Sequence, residues 1–284
     1  MIKNPDSTFN GYIADLSEKV APNLTGVAET LLFTLHNRVG NHNPVDFSDP
    51  IGRKIYDAID YDFVGRFGRA RDTHRTRSKV FDTEIKKFIG QHPHAAVVEL
   101  GCGLETSFQR CDNGSVVWLC VDLPEAIAFR DRFINPQIRC RHVAADAFSL
   151  EWLPLVPASQ PLLISIQGLL MYFPEAIVRQ FLSSIFQDRR NLYVLFDTLP
   201  LSAIKGLDGL SISKNYRLPP IRWGIERRAI AQTITLWLKG KADVDIIDHR
   251  KLLPLHMRYS FLNKRDISIV KLASTYGAEG TLED

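Results

Sequence analysis

Two glycines and an aspartate stand where they could hold a nucleoside. Gly101 and Gly103 directly follow the apolar run Ala95–Leu100, and glycines at such a turn let the backbone approach a ligand closely. Asp122 ends the next apolar run about twenty residues further on, where an acid can accept hydrogen bonds from both hydroxyls of a ribose. This combination predicts a nucleoside-binding unit.

A third acid extends the pattern toward an adenine. Asp146 follows the third apolar run, where its carboxylate could accept from the adenine amino group while Ala147 offers a backbone N–H to the ring. Position 106 is Thr106 rather than the third glycine of the dinucleotide fingerprint, which argues against NAD. The alternatives are local: Asp122 could cap a helix starting near Pro124, and Asp146 could cap its own loop.

The elements that must position these residues alternate along the chain from residue 95 onward. Short apolar runs separated by helical stretches predict a parallel, doubly wound sheet, with ligands at the carboxyl ends of its strands. The predicted strands are 95–100, 116–121, 139–143, 162–166, 192–196, 244–247 and 267–272, and the predicted helices include 174–187 and 226–238.

The first 92 residues look different, with apolar residues at helical spacing in 28–36, 51–59 and 72–89. They predict a helical cap over 1–92 that contributes to the nucleoside site, followed by a sheet domain over 93–284. Within that domain, 200–225 interrupts the alternation. Its interleaved aromatics and arginines suit an inserted lid over an anionic, partly aromatic acceptor. The predicted contacts are Tyr216, Arg222 and Trp223, with a packed surface insertion as the alternative.

Composition limits the partners of the chain. It has 284 residues, of which 45% are apolar and 24% charged, and a formal net charge of +3, too small an excess to argue for nucleic acid. The N-terminus lacks the form of a signal peptide, and the most apolar window, 161–173, is too short to span a bilayer. Four cysteines without a CxxC pair predict no zinc site and a reducing cytoplasm.

Several segments together resemble one family. Val97–Thr106, Val121–Pro124, Ala145–Asp146 and Gln167–Pro174 occur in the order and spacing of the leucine carboxyl methyltransferase superfamily, and most resemble its bacterial branch of polyketide O-methyltransferases. The resemblance runs from about residue 28 to about residue 200 and fades in the tail. It implies a Rossmann-like class I methyltransferase of the α/β class, with a mostly parallel central sheet and helices on both faces.

The resemblance also implies S-adenosyl-L-methionine as the methyl donor and a carboxylate or hydroxyl as the acceptor. Arg77 matches the family arginine that holds the donor's carboxylate, although Arg75 is a neighbouring alternative and either could belong to a solvated helix face. The family often has Glu where this chain has Gln167, which keeps an acceptor oxygen but loses the charge. The implied donor-site residues are Arg77, Glu99, Gly101, Cys102, Gly103, Asp122, Leu123, Asp146, Ala147 and Gln167.

The acceptor side is less defined. Tyr172 lies just past the fourth strand, where it could orient the acceptor as a catalytic and substrate-binding residue or simply pack in the core. Asp197 could cap a helix or line the pocket. A carboxylate acceptor needs no general base, whereas a hydroxyl would benefit from one. No motif surrounds any of the candidate histidines, which mildly favours a carboxylate; these are His74, His142, His249 and His256.

Other classes of function remain open. A protein carboxyl methyltransferase and a non-catalytic donor-binding subunit are alternatives to an enzyme acting on small molecules. A nucleic-acid amino-methyltransferase ranks low, because the loop after the fourth strand begins Gln167-Gly168 and lacks the acid- or amide-Pro-Pro-aromatic motif of that class. The expected partner is therefore a small acceptor, with no nucleic acid and no membrane.

Overall fold

The computed structural model describes residues 13–40, 46–187, 189–207, 211–248 and 267–275. His249 and His256 lie outside the described residues. The described strands are β1 (Ala96–Leu100), β2 (Val117–Asp122), β3 (Cys140–Ala144), β4 (Leu162–Ile166), β5 (Leu192–Thr198), β6 (Ala242–Ile247) and β7 (Ser268–Ser274). The α-helices are α1 (Thr30–Val39), α2 (Pro50–Ala58), α3 (Phe63–Phe67), α4 (Thr73–Gln91), α5 (Ser107–Cys111), α6 (Pro124–Arg130), α7 (Glu175–Ile185), α8 (Leu201–Leu207) and α9 (Ile230–Trp237).

The strands form one sheet in the order β3-β2-β1-β4-β5-β7-β6. The first five are parallel, and β7 runs antiparallel to both of its neighbours. The predicted parallel, doubly wound sheet is therefore confirmed. The order reverses between β1 and β4, and at such a switch point the crevice beyond the carboxyl ends of the strands is the usual ligand site.

Alternating side chains place apolar residues on both faces of the sheet. Along β1, Val98 and Leu100 join the apolar cluster that α7 and α9 cover, while Val97 joins the cluster that α4, α5 and α6 cover. Burial on both faces is why these strands appear in the sequence as continuous apolar runs.

A third apolar cluster lies in the cap, where α1, α2 and α3 pack against Phe129 and Phe133, which follow β2. Helix α4 also belongs to the first 92 residues, but its apolar side chains pack on the sheet. The N-terminal helices therefore form two groups: α1, α2 and α3 pack in the third cluster, and α4 packs on the sheet. The division of the chain at residue 92 stays a prediction.

A buried ionic network joins the helices α1, α4 and α5. Arg38 of α1 pairs with Asp49 at 2.7 Å and with Glu105 at 3.0 Å. Arg110 of α5 pairs with the same Glu105 at 2.7 Å and with Asp82 of α4 at 2.7 Å. These side chains are all less than 10% exposed, so removing one partner would leave a buried charge uncompensated.

The segment 200–225 is packed rather than open in its aromatic part. Trp223 is 2% exposed and lies near Trp237 of α9 within the main core. Tyr216 is 3% exposed and lies within the third apolar cluster, with its ring centroid 4.7 Å from that of Phe67.

Over the described ranges, the chain has no helix of the length and apolarity that crossing a membrane needs.

Candidate active site

A cavity of about 440 Å³ lies at the carboxyl ends of β1, β2, β3 and β4. Residues one or two positions past each strand end contribute to its wall, and α1 closes one side. Among the residues lining it are Gly101, Gly103, Asp122, Asp146 and Gln167. The structure therefore brings together the glycine loop and the acids that the sequence placed at successive strand ends.

The glycine loop and Asp122 are joined directly. The Gly103 N–H donates to one carboxylate oxygen of Asp122 at 2.8 Å, and the Leu123 N–H donates to the other at 2.8 Å. Gly101 and Gly103 have φ of +66° and +43°, the left-handed region that favours glycine. A Cβ on Gly101 would lie 3.2 Å from Leu169. Burial raises the pKa of Asp122, and the two N–H donors oppose that rise.

Asp146 and Ala147 line the same cavity beside Phe148. One Asp146 oxygen accepts from the Phe148 N–H at 2.9 Å, so the carboxylate does cap its own loop. The two interpretations of Asp146 are compatible, because the capping residue is also part of the cavity wall.

The far end of the cavity holds polar groups without partners. Both polar atoms of the Gln167 side chain are buried, and neither has a hydrogen-bond partner among the described residues. Nearby, Arg77 donates from Nη1 to Asp197 at 3.1 Å, while its Nε is buried without a described partner. An amide oxygen suits an ammonium and a guanidinium suits a carboxylate. This pair therefore fits the amino-acid end of S-adenosyl-L-methionine.

Arg77 is held in place by the turn after β4. Asp197 of β5 accepts from the Gly168 N–H at 2.6 Å as well as from Arg77. Gly168 has φ of +68°, and a Cβ there would lie 2.6 Å from Arg77 Nη1. Arg75 instead donates to the carbonyl of Arg38 and lies outside the cavity lining, so the structure brings Arg77 and not Arg75 to the site.

A second cavity of about 220 Å³ adjoins the first. The two share the wall residues Thr30, Thr34, Arg77, Gly168 and Tyr172. Burial raises the pKa of Tyr172, so its phenol stays protonated. The apolar part of the remaining lining is Phe33, Met171, Leu199, Ile212, Leu218, Ile221 and Ile267. The polar part is Asn37, Arg71, Thr73, His74 and Asp197, whose carboxylate is paired with Arg77.

His74 is a candidate histidine that has no sequence motif around it but does reach a cavity. It lines the second cavity, its ring meets Phe33 edge-on at 5.3 Å, and its buried Nδ1 has no partner among the described residues. Burial, followed by the charges of Arg77 and Arg38, lowers its pKa well below 6.5, so the imidazole is neutral near pH 7. Its spacing from Arg77, three residues along one helix, was the available signal.

Glu99 does not reach either cavity, which corrects its expected place in the donor site. Strand alternation turns its side chain to the opposite face from Leu100, where it accepts from Trp118 Nε1 at 3.0 Å. Burial raises the pKa of Glu99 to about 8, so the carboxyl is mostly protonated at pH 7.

The three predicted lid contacts also lie away from both cavities. Tyr216 and Trp223 are in the apolar clusters because burying large aromatic rings outweighs exposing them over a site. Arg222 is exposed and lines neither cavity; only its backbone N–H, which donates to the Met171 carbonyl at 2.8 Å, connects it to the region.

A group of possible metal ligands lies beneath the glycine loop, where no metal site was predicted. The ligand atoms of Cys120, Cys140 and His142 fall within 4.8 Å of one another. Arg130 donates to Cys120 Sγ at 3.4 Å and to His142 Nε2 at 3.1 Å. A guanidinium therefore already engages two of the three candidate ligands.

Comparisons with known proteins give a family match. The family model described as leucine carboxyl methyltransferase matches residues 57–186. The tetracenomycin polyketide synthesis O-methyltransferase TcmP of Streptomyces glaucescens is 33% identical over 181 residues, which are 62% of this chain and 67% of that protein.

Two solved structures illustrate more distant likenesses. The plantazolicin methyltransferase BamL is 14% identical with a TM-score of 0.49, over 87% of this chain and 99% of that one. Human N-acetylserotonin methyltransferase is 10% identical with a TM-score of 0.43, over 71% of this chain, and the match spans 55% of the human protein.

The sheet order and the cavity at its switch point define a class I methyltransferase that uses S-adenosyl-L-methionine. The chain belongs to the leucine carboxyl methyltransferase family. The predicted fold, family, donor and methyltransferase activity are thereby confirmed. The roles of individual residues stay predictions.

Proposed function

We propose that this enzyme transfers a methyl group to an oxygen atom of a small, anionic, partly aromatic acceptor, with a carboxylate as the first candidate. The observation that carries the proposal is the second cavity, which shares five wall residues with the donor cavity. An acceptor there would lie directly beside the donor.

The donor, when bound, supplies a methyl group on a sulfonium that is already an activated leaving group. The protein's task is to bind, align and exclude water. In this proposal Arg77 and Gln167 hold the amino-acid end, Asp122 holds the ribose, and Tyr172 separates the two cavities. Alignment of this kind can lower a barrier by about 7–11 kcal/mol.

The lining of the second cavity supports the acceptor class. Its walls are mainly apolar, and Arg71, which lines it, forms no ion pair with any described residue. A cation beside an apolar wall favours an acid that carries a ring or chain. The name of TcmP associates that relative with polyketide synthesis, and we extend this acceptor class, secondary metabolites such as polyketides, to the present chain.

A hydroxyl acceptor is the second candidate, and His74 favours it. The preference for a carboxylate rested partly on the lack of a recognisable base. A neutral imidazole in the second cavity could take the proton of a hydroxyl as its oxygen attacks the methyl carbon. Its lowered pKa makes it a weak base, which keeps the carboxylate as the first candidate.

Labelled donor separates these candidates. We would incubate the enzyme with matched pairs of aromatic carboxylic acids and phenols, and identify methyl esters by their release of methanol in base. Ester formation that is unchanged in His74→Asn supports the carboxylate. Ether formation that is lost in His74→Asn, but kept in the control His92→Asn at the other end of α4, supports the hydroxyl.

The same label tests the substrate class. A metabolite extract and a protein extract are offered separately to the enzyme. Label that enters only protein would overturn the small-molecule proposal in favour of a protein carboxyl methyltransferase. Donor binding without label transfer to either extract would instead favour a non-catalytic subunit.

A further inference from the structure

Arg130, at the end of α6, is a buried cation without a carboxylate partner. The residue is 0% exposed, and no acidic side chain among the described residues lies within ion-pair distance of it. Burying an arginine without an opposite charge is costly unless hydrogen bonds compensate it. The hydrogen-bond partners of Arg130 therefore indicate its role.

Those partners are mainly backbone atoms of the glycine loop. Arg130 Nη1 donates to the Gly103 carbonyl at 2.9 Å and to the Glu105 carbonyl at 2.7 Å. The carbonyl between them, on Leu104, accepts from Arg38 Nη2 at 2.8 Å. Three successive carbonyls after the glycine turn are thus held by two buried guanidinium groups.

The other side of the Arg130 guanidinium is fixed to the sheet. Nη2 contacts Cys120 Sγ on β2, and Nε donates to His142 Nε2 on β3. Because Nε2 accepts, the proton of the neutral ring lies on Nδ1, which is 2.5 Å from Asp131. The loop is therefore tied through Arg130 to β2 and to the edge strand β3.

We propose that Arg130 is a positioning residue for donor binding. It holds the carbonyls of Gly103 and Glu105 beneath the loop, which keeps the Gly103 N–H directed at Asp122 and the turn open to the donor. This role concerns the donor alone and is independent of which acceptor the enzyme uses.

The first test measures the affinity for S-adenosylhomocysteine by calorimetry. Arg130→Lys keeps the charge but loses the planar guanidinium with its several N–H donors. Arg130→Met keeps much of the volume without the charge. Losing two charge-assisted hydrogen bonds to the loop should raise Kd about 10- to 100-fold. The control is Arg139→Lys, which disturbs an ion pair with Asp112 outside the donor site and should leave Kd within about twofold.

A second readout distinguishes positioning from general stability. Amide hydrogen exchange over residues 101–106 should accelerate in the Arg130 variants and return toward the wild-type rate when S-adenosylhomocysteine is added. A lower melting temperature with unchanged Kd and unchanged exchange in this segment would overturn the proposal.

If neither Arg130 variant folds, His142→Gln decides the matter, because it leaves Arg130 in place. It perturbs the contact that orients Arg130 Nε, together with the contact between His142 and Asp131. It should produce the same local acceleration of exchange with a smaller rise in Kd. Wild-type exchange and affinity in a folded His142→Gln protein would contradict the proposal.

Discussion

Replacing Asp122 by Asn changes one atom at the centre of the donor site. In the structure, each carboxylate oxygen already accepts one backbone N–H, from Gly103 and from Leu123, both at 2.8 Å. Each oxygen retains a lone pair for a ribose hydroxyl. Asn has only one oxygen, so one backbone N–H loses its partner and one hydroxyl meets an N–H group instead of an acceptor.

The magnitude follows from these contacts. A hydrogen bond to a charged group contributes about 1.5–3 kcal/mol. Losing one such bond to the donor and weakening the other should cost about 2–3 kcal/mol of binding free energy, which raises Kd about 30- to 150-fold. The fold should be retained because Asn has almost the same shape, at a cost of about 1–3 kcal/mol for the backbone N–H that loses its partner.

Calorimetric titration with S-adenosylhomocysteine measures this change, and thermal unfolding verifies the fold. The matched control is Glu125→Gln, which removes a carboxylate from the exposed rim of the same cavity and should alter Kd by less than about threefold. A folded Asp122→Asn protein that binds as tightly as the wild type would refute the ribose assignment.

Three further variants test other parts of the structure. Gly168→Ala places a Cβ 2.6 Å from Arg77 Nη1 at a φ of +68°. Urea unfolding should show a fold destabilised by about 1–3 kcal/mol, and donor binding should weaken. Normal affinity would mean that Arg77 is not a donor contact. Glu99→Gln should stabilise the fold by about 3 kcal/mol at pH 7, because burial raises the pKa of this carboxyl from 4.5 to about 8. The donor Kd should not change. His74 stays neutral in the folded protein, whereas in the unfolded chain it takes up a proton near pH 6.5. The free energy of unfolding should therefore fall as the pH is lowered from 7 to 5, and it should fall less steeply in His74→Phe. Equal slopes would contradict the burial of His74 as a neutral ring.

The sheet and the donor side were largely predictable because their signals are local. A strand buried on both faces appears as a continuous apolar run, and the ligand-facing residues of a parallel sheet follow those runs directly. Gly101, Gly103, Asp122, Asp146 and Gln167 all line one cavity for this reason. The antiparallel direction of β7 was not predictable, since strand direction depends on how the chain returns to the sheet.

The acceptor side was harder because its residues come from distant segments. His74 lies on α4, and its position in a cavity depends on how α1 and the turn after β4 pack around it. The aromatics of 200–225 looked available for a ligand, but a ring that can be buried in a nearby core gains more there. Glu99 had a local signal that was overlooked, the alternation of side chains along β1, and so had His74, in its helical spacing from Arg77.

The buried charges between Arg38 and Arg110 limit how this protein could be divided or recombined. Glu105, which follows the glycine loop, is paired with Arg38 of α1 and with Arg110 of α5. A chimera that joined this sheet to the N-terminal helices of another family member would leave buried charges without their ion-pair partners. Acceptor preference could therefore be exchanged between relatives only if the whole network were transferred together with the N-terminal helices. These helices and the sheet would have to evolve together.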